Sequence, residues 1–450
     1  MITTKIRAFL LALALSLSAL IAVGAPASVQ AEECTKTLKI WSFGDVFLPR
    51  LILQYKQQNP GLCFDIKKSD LDPLNGTQMI TACAAANSHT GPDIAAVEIQ
   101  YSGYWRAYPQ CFVDLRTMKR TSDGKSAKEL RSLYLPWRFD NGVAYNGNVI
   151  GLPTDVGGLE VAYRWDLLKA KGLPYKRDAV SKAIKTWPKF IKLGKKYMAK
   201  LSKSEKALKM GFIDNAGAIY TAMINQGTKK YYENNGTAAG KLIYSTNPNI
   251  KKAYNTTVNA LKAGIGTRVA QFSSDWSVGM QKGKFAMMLA PAWMMDYIKQ
   301  QASATKGKWD IANIPGGGGN QGGTQLTIPT AGNPLNRQAA WDFLSWYTAP
   351  EQQKFAFLTY GMFPTTVSLY KDPEVTGFND PFFNNAPVGK IYSSGVQKLK
   401  PIFAGKYDRA IDKEIGAALT RIDVLISKKK AFNALNEWKT AMTNIAKIAK

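Results

Sequence analysis

The sequence predicts an α/β chain of two domains, opening on a parallel sheet with helices on both of its faces. Two observations carry this. After an export leader the chain alternates strand, helix, strand, helix, strand, and such alternation builds a parallel sheet covered on both sides. The chain has 450 residues; less a 31-residue leader, 419 remain, too many for one hydrophobic core. No internal repeat at a solenoid period competes with this.

Each element has a local reason. Residues 38–42 (LKIWS) are a short apolar run, the pattern of a buried strand. A helix follows over 46–59, stopped by Pro60-Gly61. Residues 63–67 alternate as a second strand, and 75–86 carry Thr77, Ile80 and Cys83-Ala84 at helical spacing. The turn Gly91-Pro92 leads into a third buried strand over 93–97 (DIAAV). In open sheets of this kind ligands sit outside the carboxyl ends of the strands. That nominates Phe43, Gly44 and Asp45 after the first strand, and Glu98, Gln100 and Tyr101 after the third. Near the C-terminus, Phe432, Leu435, Trp438, Met442, Ile445 and Ala449 share one helical face with lysines opposite, as a core-facing helix requires.

The N-terminal residues predict a secretory signal peptide. Lys5 and Arg7 precede an apolar run over 9–23, too short to span a bilayer comfortably, and Val29-Gln30-Ala31 fits a small-x-small cleavage site. The cut is expected after Ala31. Glu32 and Glu33 stand before Cys34, where a lipoprotein site needs small residues, so the expectation is a soluble periplasmic protein without a lipid anchor. Four cysteines in an exported chain, Cys34, Cys63, Cys83 and Cys111, imply two disulfides with three possible connectivities. Cys34 precedes the first strand and Cys63 opens the second, so neighbouring parallel strands bring both to one edge. This favours Cys34–Cys63 with Cys83–Cys111. No cysteine pair has close metal-ligand spacing and there is one histidine, so no metal or cofactor is expected.

The chain carries 59 Lys and Arg against 32 Asp and Glu, a net charge of +27. The lysines are spread along helices, as at Lys182, Lys185, Lys189 and Lys192, with no RNA-binding signature. A solvated basic surface is the expectation, not nucleic-acid binding. The balance leans towards an acidic ligand over a polyamine.

A series of motifs then points to a family. The stretch 146–174 (NGNVIGLPTDVGGLEVAYRWDLLKAKGLP) runs from a polar turn through Gly-Leu-Pro-Thr-Asp into an apolar run over 159–163 and a helix from about Trp165. Around it, in order, stand LKIWSFGD, GPDIAAVEIQYSGYWRAYPQCFVDL, KTWPKFIKLGKKY, SVGMQKGKFAMMLAPAW, PGGGGNQGGTQLTIPT, AAWDFLSWYTAPEQQKFAF and YGMFPTT. Together they resemble the extracellular solute-binding proteins of family 1, the maltose-binding-protein-like receptors that serve ABC importers of sugars and oligosaccharides. The resemblance implies a two-lobe periplasmic-binding-protein fold of class II. Each lobe would be a mostly parallel sheet flanked by helices, with three hinge crossings near Asp155, Thr324 and Gln352. The N-terminal lobe would take 32–155 and 325–352, and the C-terminal lobe 156–324 and 353–450. It further implies a monomer that closes on a carbohydrate ligand and delivers it to ABC transporter permease subunits in the inner membrane. Asp155 would stand at the cleft mouth, the Gly322-Gly323 turn beside the ligand, and Phe363 in a late loop facing it.

The chemistry agrees with a binder. His89 is the single histidine and lies in a polar loop; no G-x-S-x-G and no H-E-x-x-H is present, so no catalytic residue is nominated. Asp45, Glu98, Asp155 and Asp214 are carboxylates for ligand hydroxyls, though a carboxylate pair can also hydrolyse glycosides. The glycine run 315–323 lacks the Lys-Ser/Thr of a phosphate loop. Among the aromatics near ligand loops, Phe43, Tyr101, Trp276, Trp293 and Phe363 are candidates to cover apolar sugar faces. The competing expectations are a secreted glycan-processing enzyme, or a receptor for a polyamine or a glycerol-phosphate ester.

Overall fold

A computed structural model describes residues 33–449. The expected signal peptide and its cleavage point lie outside the described residues. Eleven strands are present among them: β1 (Lys36–Ser42), β2 (Leu62–Lys68), β3 (Ile94–Glu98), β4 (Gly151–Pro153), β5 (Leu159–Arg164), β6 (Gly211–Ile213), a small hairpin of β7 (Tyr232–Glu233) and β8 (Lys241–Leu242), β9 (Phe285–Pro291), β10 (Trp309–Ala312) and β11 (Thr324–Thr327). They form two main sheets, one per lobe, ordered β2-β1-β3-β11-β4 and β10-β5-β9-β6.

In the first sheet β1 pairs parallel with both β2 and β3. Leu38 and Ile40 alternate inward and are fully buried, while β3 is buried along its whole length as the central strand. One strand in each sheet runs against the rest. β11 is antiparallel to β3 and β4, and β5 is antiparallel to β9 and β10. Both are entry strands: the chain leaves the first sheet after β4, crosses over 154–158 and enters the second as β5. It returns from β10 over 313–323 and enters the first as β11. A third passage follows the helix Arg337–Tyr347, which packs Trp341 and Phe343 in the first core. The next helix, Pro350–Tyr360, sends Ala356 into that core and Phe357 into the second.

Buried side chains bind these passages together. Arg138 donates through Nε to Asp155 O and through Nη2 to Thr324 O, both at 3.0 Å. Gln353 donates to Thr348 O at 2.8 Å and to Pro153 O at 3.2 Å, and its Oε1 accepts the Thr365 N–H at 2.7 Å. Backbone polar groups that cannot reach a ladder in a crossing are thereby satisfied away from water.

Local expectations fare unevenly. Thr186 caps the helix Trp187–Ala199, accepting from Lys189 N–H, with Pro188 in its first turn. The disulfides are Cys34–Cys63 and Cys83–Cys111. The first helix begins later than expected, at Pro49. The helix expected over 75–86 starts at Leu71, breaks its geometry at Gly76 and ends at Ala84. The cause is Asn75, buried, whose amide donates to Ala96 O at 3.0 Å and accepts the Glu98 N–H at 2.7 Å. In the C-terminal helix Ala434–Ile448, Ile445 is buried and Trp438 packs on Tyr254 with ring centroids 4.9 Å apart, while Leu435 stays exposed.

Candidate functional site

Between the lobes lies a cavity of about 520 Å³, within the range of small-molecule sites. The carboxyl ends of β1, β2 and β3 supply one wall through Phe43, Asp45, Ser69, Asp70, Glu98 and Gln100. The crossings supply the floor, with Thr154, Asp155 and residues 321–324. Phe272, Trp293, Asp296 and Tyr297 supply the opposite wall, and Tyr360 and Met362 an end.

Seven nominated residues therefore meet at one place: Phe43, Asp45, Glu98, Asp155, Trp293, Gly322 and Gly323. Trp293 is held by its own indole, whose Nε1 donates to Gln321 O at 3.0 Å. Gly322 makes that possible: a Cβ there would stand 2.7 Å from Trp293 Nε1. Gly323, at φ +115°, would press a Cβ against Arg138 and Asp155 O. Asp155 turns Oδ1 towards the hinge, accepting from Thr154 Oγ1 at 2.7 Å and Thr324 N–H at 3.0 Å. Burial raises its carboxyl above the usual range despite the nearby Arg138. Glu98 caps the helix Ile99–Arg106 through Gln100 N–H at 2.7 Å, and burial pushes it up to about 7.

Four nominations are corrected, because their side chains are used inside the fold and do not line this cavity. Asp214 is fully buried, its Oδ2 accepting from Trp276 Nε1 at 3.0 Å and Gln271 Nε2 at 2.8 Å. Trp276 is fully buried behind Phe272 and Tyr297. Phe363 is core, edge-on to Phe357 at 5.0 Å. Tyr101 packs with Trp105 and donates its hydroxyl to Asp72 at 2.6 Å. A strand end or an aromatic near a loop does not tell which way the side chain turns.

Phe272, Asp296 and Tyr297 escaped the sequence reading. Two of them had a signal: Trp293, Asp296, Tyr297 and Gln300 are spaced i, i+3, i+4, i+7, one face of the helix Met294–Gln301 and the turn before it. Phe272 had none. It is 55 % exposed in a left-handed conformation, φ +67°, and stacks on Trp293 at 6.3 Å with planes 22° apart. The lean towards an acidic ligand is not supported by this lining. Among the described residues it contains five carboxylates and no Lys or Arg.

The lobes also touch beside the cavity. Arg409 Nη2 lies 2.8 and 2.9 Å from the two oxygens of Asp72, and Arg409 Nη1 donates to Gln100 Oε1 at 3.0 Å. His89 is exposed in its loop, away from the cavity. The arrangement suits a solute enclosed between two bodies: flat aromatic faces on one wall, hydrogen-bond acceptors on the other, and a hinge beneath.

Comparison with known proteins agrees. Residues 51–383 match the model of the bacterial extracellular solute-binding proteins. An arabinooligosaccharide-binding protein of Bacillus subtilis is 25 % identical over 331 residues, 69 % of each chain. A lactose-binding protein of Rhizobium radiobacter is 25 % identical over 286 residues, 62 % of this chain and 61 % of that one. The crystal structure of an extracellular solute-binding protein of family 1 superposes with a TM-score of 0.74 at 30 % identity, covering 92 % of this chain and 100 % of that one. With its two sheets, its paired entry strands and the cavity between them, the chain belongs to the bacterial extracellular solute-binding proteins.

Proposed function

We propose that this protein is the periplasmic receptor of an ABC importer for a sugar or oligosaccharide, closing its lobes on the solute and handing it to the membrane permease. One observation carries it: Trp293, Phe272 and Tyr297 face a row of carboxylates and amides across an interlobe cavity of about 520 Å³. A sugar offers flat apolar faces to rings and hydroxyls to acceptors, and this lining offers both. The arabinooligosaccharide- and lactose-binding relatives support the same solute class. We take the lobes as 32–155 with 325–352 and 156–324 with 353–450, with the signal peptide removed after Ala31 and the mature chain a monomer. We read it as a binder in place of a hydrolase, a reading supported by the binding-protein relatives and by Asp214, which is withdrawn from the cleft.

The test is a thermal-shift screen against neutral sugars, amino sugars, uronic acids, polyols, polyamines and glycerol-phosphate esters. A ligand that binds only the folded form raises the melting temperature. A shift with sugars and none with the other solutes is expected; a shift with polyamines or glycerol-phosphate esters alone would overturn the carbohydrate reading.

A further inference from the structure

Two glycines meet where the second lobe touches the first. Gly103 lies in the helix Ile99–Arg106 of the first lobe. Gly405 lies in the strap 398–407, which joins the helices Val388–Gln397 and Asp408–Ser427 of the second. A Cβ on Gly103 would stand 2.2 Å from Gly405 O, 2.5 Å from its carbonyl carbon and 2.7 Å from its N. All three are backbone atoms, and the nearest is about 1 Å or more inside ordinary contact. Neither glycine has a positive φ. Glycine inside a helix is disfavoured against alanine, so at 103 it serves the approach of the strap and not the backbone conformation.

Both sides of the contact are backed. A Cβ on Gly405 would stand 2.1 Å from Tyr232 Cδ2, so the strap rests on that ring, which is 5 % exposed. Tyr232 Oη accepts the Tyr407 N–H at 3.3 Å, which ties the strap to β7. On the first lobe, Gly103 O accepts the Tyr145 hydroxyl at 3.3 Å, and Trp105 anchors the helix in the core. Arg106 crosses from one lobe to the other. Its Nη1 donates to Ala404 O at 3.2 Å, and its guanidinium lies 5.3 Å from the Tyr145 ring centroid and 5.4 Å from that of Phe403.

The contact bounds part of the cleft. A chamber of about 70 Å³ shares Gln100, Gln321 and Gly322 with the main cavity. Ile99 and Gln100 of the helix line it from the first lobe, and Leu399, Ile402 and Ala404 of the strap from the second. How closely the helix and the strap approach therefore decides how closely the two walls approach a solute.

We propose that Gly103 and Gly405 are the stop of lobe closure, positioning residues whose backbone contact sets the separation at which both walls reach the solute. This rests on reading the protein as a receptor that closes on a carbohydrate. A methyl group at 103 wedges the cleft open by about 1 Å, which takes hydrogen bonds of about 2.9 Å beyond their useful length.

The test is calorimetric and stopped-flow binding to the mature parent, Gly103→Ala and Gly416→Ala. The probes are lactose, arabinotriose and every neutral sugar that shifts the parent in the thermal-shift screen. Gly416 lies in the helix Asp408–Ser427 with open space where its Cβ would stand, so it reports the gain in helix propensity alone and should bind as the parent does. Gly103→Ala should bind about tenfold or more weaker, and Gly103→Val weaker still. The loss should lie in the dissociation rate, because encounter is with the open form, which the methyl group does not obstruct. It should persist from about 50 to about 500 mM NaCl, since a steric stop is not screened. The melting temperature of unliganded Gly103→Ala should match or exceed the parent's. Unchanged affinity in Gly103→Ala overturns the stop and leaves the receptor standing. A sharp fall in its unliganded melting temperature overturns the stop too, because the contact would then belong to the fold without ligand. Binding of no sugar by the parent removes both readings.

Discussion

Asp72 and Arg409 join the two lobes by a bidentate ion pair, with Arg409 Nη2 at 2.8 and 2.9 Å from the two carboxylate oxygens. Asp72 belongs to the helical turn Leu71–Pro73 that follows β2 and Arg409 to the helix Asp408–Ser427, so the pair exists only when the lobes meet. Tyr101 braces it from the first lobe at 2.6 Å, and Lys413 adds a second cation at 3.1 Å.

The pair is partly open to water, with side chains 27 % and 38 % exposed, so its worth is discounted to about 0.5–1 kcal/mol. Asp72→Asn should therefore weaken sugar binding by about two- to fivefold, since the closed state loses that increment. The loss should shrink at high salt. A variant that binds as well as the parent in low salt would show that the pair contributes nothing to closure.

Trp293 and Trp276 should separate cleanly. Trp293→Ala removes a ring at the cavity wall, and truncating such an aromatic commonly costs about 2 kcal/mol of binding, roughly thirtyfold in affinity. Trp276→Ala empties a fully buried site and strips a donor from buried Asp214, so it should cost about 3–5 kcal/mol of apo stability. Melting temperature and affinity measured on both variants decide the assignment. A Trp293 variant with unaltered affinity and a collapsed melting temperature would place that ring in the core.

Stability should fall with rising pH across the neutral range. Burial pushes Glu98 and Asp408 up to about 7 and Glu160 up to about 8. In the unfolded chain these groups ionise near about 4. Between those values the folded form holds more protons than the unfolded one, so stability drops as pH rises from about 5 to about 8. Glu160 lies outside the cavity lining and accepts the Ile314 N–H at 2.8 Å, a bond glutamine can keep. Glu160→Gln should flatten the upper part of the profile. Melting curves of parent and variant at pH 5, 6.5 and 8 check this; parallel profiles would contradict it.

Both disulfides lie in the first lobe, closing stretches with sequence separations of 29 and 28 residues. Native protein should show no reactive thiol. Reduction should destabilise that lobe by about 2–4 kcal/mol per bridge and lower its melting temperature. Two or more titratable thiols before reduction would exclude the pairing in solution.

Much of this was legible because it is set by local pattern. The buried runs LKIWS and DIAAV became β1 and β3, and the order of elements led to the correct cysteine pairing. The Gly322-Gly323 turn was reached through the family resemblance, and the structure supplies its reason: a Cβ there would press on Trp293 or on Arg138. Side-chain direction was not legible. Asp214 and Trp276 sit beside plausible ligand loops, yet they bond to one another in the interior, a long-range contact across 62 residues. Phe272 was hidden for the opposite reason: its place depends on a left-handed backbone and a stacking partner that its neighbours in sequence do not announce.

The central claim is that a sugar closes the two lobes over the cavity. Small-angle scattering of the mature protein, with and without a saturating sugar from the thermal-shift screen, tests it most directly, because a ligand shifts the lobe equilibrium only by binding the closed form better. A smaller radius of gyration with ligand is predicted, with Asp72→Asn showing a weaker shift at the same sugar concentration. Superimposable curves at saturation, together with measurable binding, would contradict closure.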